Sequence, residues 1–298
     1  MTIETGVKTW LKEYGRQLEQ AQMEYMFSSG SQAEVIEALQ HYQNKDGGFA
    51  HGLEPDFWTP ESNPIDTWTA IQVLRSLDLV SSHPLIQSTL RYLETTPYQE
   101  EDRYFFRVPD NNNHPHAPWW HYTEATKIEG YNPSAALYAF ILKHATKETP
   151  FYHRIHAAFN AMVKDFMQDP TEEMHELRCM SEALVELEGQ FNLRAFREKI
   201  AEQVVKSVEP DSNRWFTDYC ARPSQLIESP QSPGYEPLQR LVKQEIDLLK
   251  ARTNPEGVWD LNWSWAEKDP IAFAKAEKDW QSIIAYNMLI RIKQFTEL

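Results

Sequence analysis

The sequence predicts an all-α protein built from repeated helical hairpins arranged as a ring, and three observations carry that prediction. Apolar residues recur at helical spacing over most of the chain, with no convincing run of strict alternation. Glycine turns carrying an aromatic follow amphipathic helices at both ends of the chain, Tyr42-Gln43-Asn44-Lys45-Asp46-Gly47-Gly48-Phe49 and Asn254-Pro255-Glu256-Gly257-Val258-Trp259. One predicted helix is apolar around most of its circumference, which marks an inner layer beneath more charged helices.

In chain order, the inner helix comes first. Asn63 caps it, Pro64 suits its first position, and Asp66 favours the positive end of its dipole. Its body from Ile65 to Leu79 carries Trp68, Ile71, Val73, Leu74 and Leu77. The next stripes are Phe151, Ile155, Phe159, Met162 and Phe166, then Met174, Leu177, Met180, Leu184 and Leu187. Phe196, Ile200, Val204 and Val208 form another, and Leu238, Val242, Ile246 and Leu249 the last. Weaker aromatic turns at Asp102-Arg103-Tyr104-Phe105 and Asp211 to Phe216 fill the interval, giving a period of roughly 50 residues, long enough for two helices and a loop. No proline- or serine-rich tether divides the chain, so residues 1–298 read as one domain.

Composition narrows the function classes. Of 298 residues, 41% are hydrophobic, an ordinary share for a globular protein. Lysine plus arginine number 29 against 44 aspartates and glutamates, a formal charge of -15 that repels phosphate backbones and anionic lipid. Nucleic acid and membrane are therefore not expected partners; a small molecule or oligosaccharide is. Two cysteines, Cys179 and Cys220, exclude a disulfide framework and a cysteine-rich zinc site. The N-terminus lacks a signal-peptide pattern and no apolar run approaches a membrane span, so a cytoplasmic location is expected. Phosphate-loop, GxGxxG, HExxH and GxSxG motifs are absent from the sequence, which lowers nucleotide chemistry, zinc proteolysis and α/β-hydrolase catalysis.

The run Gln43-Asn44-Lys45-Asp46-Gly47-Gly48-Phe49 resembles the repeat of terpenoid cyclases and protein prenyltransferase β-subunits. That resemblance implies a single α/α toroid, about six hairpins in two concentric layers around a central cavity. Gly47 to Asp56 together with His114 to Trp120 is similar to a bacterial toroid family without an established activity, over a stretch from about Met23 to the last helix. The Asp-x-Asp-Asp acid of the cyclases has no counterpart. Asp218-Tyr219-Cys220 spells the prenyltransferase zinc pair, but the last histidine of the chain is His175, so the third ligand is missing.

Three loop constellations carry candidate chemistry. In His51-Gly52-Leu53-Glu54-Pro55-Asp56-Phe57-Trp58, Pro55 biases Glu54 to extended backbone, which would project Glu54 and Asp56 to one side as a catalytic acid–base pair helped by His51. The bland alternative has the carboxylates capping helices or pairing with arginines and His51 bonding the turn. In Asn111 to Tyr122, prolines favour extended chain and would align His114 and His116. His114, His116, Trp58, Trp119 and Trp120 would line the substrate pocket; no cofactor is predicted, though His114, His116 and His121 could hold a divalent metal, and the bland alternative is a proline-stiffened loop whose tryptophans plug the mouth of the ring. In the third, Asp260, Asn262, Trp263 and Trp265 could contact a sugar face or an isoprenoid, or simply pack where the last hairpin closes. The leading expectation is an enzyme using carboxylate acid–base chemistry on a small molecule or oligosaccharide at one mouth of the ring. Isoprenoid binding of the cyclase kind and a non-catalytic binding or scaffold toroid are the alternatives.

Overall fold

The computed structural model describes residues 2–296. They form α1 (Ile3–Tyr14), α2 (Gln17–Phe27), α3 (Gln32–Gln40), α4 (Pro64–Ser76), α5 (Pro84–Thr95), β1 (Gln99–Glu100), β2 (Arg103–Tyr104), α6 (Ser134–His144), α7 (Pro150–Gln168), α8 (Met174–Glu186), α9 (Arg194–Ser207), α10 (Pro223–Leu226), α11 (Tyr235–Ala251) and α12 (Pro270–Thr296). Among the described residues the fold is all-α apart from one hairpin of two two-residue strands. Among the described residues no helix is long and apolar enough to cross a membrane.

The chain divides into two compact units. One holds α1–α3 and the segments Val208–Gln231 and from Tyr235 onward, hence α10–α12. In it α12 packs on α1, α2 and α11. Glu245 of α11 is wholly buried and accepts the Ser224 backbone N–H and hydroxyl at 2.6 and 2.8 Å, while burial pushes its carboxyl upward. The other unit runs from Tyr42 to Ser207 with Ser232–Gly234, and α6 is its centre, packed on α4, α5, α7 and α8. Every α6 residue from Ser134 to Leu142 is buried.

The apolar stripes read from sequence are the buried faces. Phe151, Ile155, Phe159, Met162 and Phe166 of α7 are all buried, as are the stripes of α9 and α11. On α8 Leu177, Met180 and Leu184 are buried, Met174 only half so. Each such side chain contributes about 1.5–3 kcal/mol by leaving water. Helix α4 starts as its cap predicts, Asn63 Oδ1 accepting the Asp66 N–H at 2.9 Å. It ends at Ser76 and not Leu79, because the Leu77 N–H closes back on the Leu74 carbonyl and Asp78 turns left-handed at φ 49°.

The two glycine turns are the same structure. Asn44 N–H donates to the Gly48 carbonyl and Gly47 N–H to the Asn44 carbonyl; Asn254, Val258 and Gly257 repeat both bonds. Gly47 and Gly257 take φ of 96° and 86°, and Phe49 and Trp259 fall in equivalent buried places. Asp46 anchors its turn by accepting the Gly48 N–H and the Ser62 hydroxyl. The expected weaker copies differ. Asp102 lies in the β1–β2 hairpin, its two-residue turn formed by Glu101 and Asp102 at φ 50° and 64°. Asp211 to Phe216 is a run of tight turns tied to Glu209 by the buried Trp215 indole.

Candidate functional site

Two loops singled out in the sequence meet in the structure. Trp58 N–H donates to the Pro115 carbonyl at 3.1 Å and Ala117 N–H to the Asp56 carbonyl at 2.7 Å, so Phe57 and His116 pair as an antiparallel bridge. The carboxylate loop and the histidine loop are thus one layer.

The inner helix fixes the first loop. Asp66 at the start of α4 accepts the Glu54 backbone N–H through Oδ1 at 2.6 Å and the Asn63 amide through Oδ2 at 2.6 Å. The expected extended run is a succession of bends, with Phe57 N–H turned back toward the Glu54 carbonyl. Alternation therefore does not set the directions of Glu54 and Asp56. Asp56 is 2% exposed whereas Glu54 is half-buried. His51 is exposed, takes φ 68°, and shares a hydrogen bond with Asn44 Oδ1 at 3.0 Å, which ties it to the glycine turn. Trp58 donates its indole N–H to the Pro55 carbonyl and covers Gly52.

The histidines pair differently from their spacing. His114 and Ala117 have extended backbone, as expected of this loop, but His114 Nε2 faces Asp110 at 3.0 Å. His116 is instead joined to His121, Nε2 to Nδ1 at 3.2 Å with stacked rings, because the short 3-10 turn Pro118–Trp120 brings His121 back. His116 Nδ1 is satisfied by the His114 carbonyl at 2.7 Å. His114, His116 and His121 therefore do not form one ligand set, and among the described residues no three His, Cys, Asp or Glu side chains gather as a metal would require. Trp119 is exposed, while Trp120 is buried between Phe57 and Phe106, ring centroids 4.8 and 4.6 Å away. Arg107 clamps the loop, donating to the Trp119 and Thr126 carbonyls and to Glu129.

The third constellation lies in the other unit. Asp260 accepts the Asn254 amide of the second glycine turn and Asn262 donates to the Asp218 carbonyl. Trp265 is buried edge-on to Phe273, so it belongs to the core and not to a substrate wall. Trp263 is half-buried and edge-on to Trp280, an aromatic pair the spacing did not suggest. Asp218 is held by Arg214, and burial pushes the Cys220 thiol up, so neither resembles a prepared zinc ligand.

A charged network went unread in the sequence. Glu182 of α8, 4% exposed, accepts the Trp68 indole N–H and the Gln72 amide of α4, each at 2.9 Å, and Arg178 at 3.1 Å. Arg75 reaches both Glu182 and Glu186, and Lys143 reaches Glu186 at 2.6 Å. The signal was available: Trp68, Gln72 and Arg75 fall at i, i+4 and i+7, a polar stripe on an otherwise apolar helix. Gln72, Arg75, Glu182 and Glu186 line a hollow of about 180 Å³, open solvent included, between α4, α6 and α8.

A second hollow beside it contains His144, whose Nδ1 shares a hydrogen bond with the Ser81 hydroxyl at 3.0 Å. Burial, and then the Lys143 charge, push this imidazole down to about 4 from 6.5. Its folded value lies below its unfolded one, so the unfolded chain takes up the proton first as pH falls. The contribution to stability is complete above pH 6.5 and is lost between there and about 4. The urea midpoint of the parent protein is expected to fall more steeply than that of His144→Gln across this window; parallel curves would refute the assignment.

Comparison with family models, curated proteins and solved structures finds no significant match.

Proposed function

We propose that the protein is an enzyme acting on a small polar molecule or an oligosaccharide where the carboxylate loop meets the histidine loop, and that its hairpins close into a single α/α toroid. The observation that carries the reading is the backbone pairing of Asp56–Trp58 with Pro115–Ala117, which joins Glu54 and Asp56 to the His116–His121 pair across a long stretch of sequence. Glu54, the less buried of the two carboxylates, serves as general acid or base. Asp56 and Asp66 hold the loop, Asp56 through its carbonyl and Asp66 through its side chain. His116 and His121 supply a hydrogen-bonded proton path.

One further observation supports this fold: the same glycine turn occurs in both units, as a repeated hairpin and hence a toroid would require.

A panel of chromogenic glycosides and small esters supplies the test. Glu54→Gln, folded by circular dichroism, is expected to lose about 100-fold or more in turnover. Unchanged turnover removes the assignment, and ligand binding without turnover in the parent protein moves the reading to a binding toroid.

A further inference from the structure

Two polar atoms in the histidine loop are shut away from solvent without a hydrogen-bond partner in the protein: the acceptor Asn111 Oδ1 and the donor Trp120 Nε1. Their side chains are 1% and 7% exposed, and the residues are already joined, Asn111 Nδ2 donating to the Trp120 carbonyl at 3.1 Å. An unpaired buried group costs about 1–3 kcal/mol, and such groups are rare in folded proteins. Two on hydrogen-bonded neighbours are a departure that calls for a chemical reason.

The pair has a definite complement. An anion is held by donors and a metal cation by acceptors, whereas one donor with one acceptor matches a hydroxyl, which both takes and gives a hydrogen bond. Trp120 covers the rings of Phe57 and Phe106, apolar surface that lifting the turn would free for the C–H face of a sugar. Asp56 and Asp110 in the same layer disfavour a negatively charged ligand.

Access requires the turn to swing away from Phe57 and Phe106. Pro118–Trp120 is a single 3-10 turn with Pro118 and Trp119 exposed. Side chains hold two of its carbonyls, Arg107 the Trp119 carbonyl at 2.6 Å and Asn111 that of Trp120. We propose that this turn is a lid over a subsite for a neutral sugar, whose hydroxyl accepts from Trp120 Nε1–H and donates to Asn111 Oδ1. The inference rests on the ligand class of the proposed function and adds the residues that recognise it.

The test follows the indole N–H resonance of Trp120 in the full-length protein, assigned by its loss in Trp120→Phe, during titration with glucose, mannose, galactose, xylose and their β-1,4-linked disaccharides. At least one sugar is expected to shift that resonance, and Trp120→Phe and Asn111→Leu are each expected to weaken its binding about tenfold or more. No shift with any sugar overturns the subsite, as does binding that Trp120→Phe leaves unchanged. So does a crystal soaked in the sugar that shows one enclosed water bridging the two atoms. The two readings fail separately. Loss of turnover in Glu54→Gln with normal sugar binding in Trp120→Phe removes the subsite alone. A shifted Trp120 resonance with full turnover in Glu54→Gln removes the acid–base assignment alone.

Discussion

Gly47→Ala is expected to destabilise the protein by about 2–5 kcal/mol, whereas the matching change Gly257→Ala in the equivalent turn costs about 1–2 kcal/mol. Both glycines take a positive φ, so an alanine is strained at either place. They differ in their surroundings. A Cβ on Gly47 would stand 2.1 Å from the Ser88 carbonyl oxygen of α5 and 2.6 Å from its carbon, which are backbone atoms with no rotamer to change. A Cβ on Gly257 meets only Gly6 at 3.5 Å. The first substitution must push α5 away or unwind the turn, and with it the bonds from Gln43 Nε2 to the Gly47 carbonyl and the Ser88 hydroxyl. Urea unfolding of the two variants side by side checks this. Equal midpoints would mean that strain in φ alone sets the cost and that α5 yields freely.

Glu182→Ala carries the other large effect, a loss of about 3 kcal/mol in the same measurement. One carboxylate answers the Trp68 indole, the Gln72 amide and two guanidinium groups, and its removal leaves those donors without their acceptor. The expectation lies at the lower end for breaking a buried ion pair because Arg178 is partly exposed and can turn to water. Glu182→Gln retains an acceptor oxygen for Trp68 and should recover a good part of the loss. A Glu182→Gln variant as unstable as the alanine would show that charge, and not hydrogen bonding, carries the network.

Legibility followed amphipathicity. Helices α7, α9 and α11 have one wet face, so their stripes stand out, and the Asn63-Pro64 start of α4 is a local signal that needs no partner. Helix α6 was not singled out because burial from Ser134 to Leu142 erases the period that marks a surface helix. The turn at Asp102 is legible as a turn but not as a β-hairpin, because Glu101-Asp102 lacks the glycine or asparagine that usually marks left-handed backbone. At the site, composition was enough to locate both loops, since clustered acids, histidines and tryptophans are unusual between helices. Geometry was not. The i, i+2 rule set His114 beside His116, but the Pro118 turn gives His116 to His121 and leaves His114 with Asp110. Trp263 and Trp265 looked like one platform, yet Trp265 packs on Phe273 and Trp263 on Trp280. Partners on distant elements leave no mark in local spacing, which is also why Glu182 passed unnoticed.

The bridge between Phe57 and His116 joins residues roughly 60 apart, with α4, α5 and the β1–β2 hairpin in the interval. During synthesis the carboxylate loop leaves the ribosome well before the residues that complete it, and its bonds to Pro115 and Ala117 wait until those residues have followed. Local helices and the tight hairpin form on their own timescale, but closure of this pair waits for all of them. The pairing of these loops is therefore a late reporter of folding, since the layer that joins acid to imidazole is complete only once Ala117 has followed.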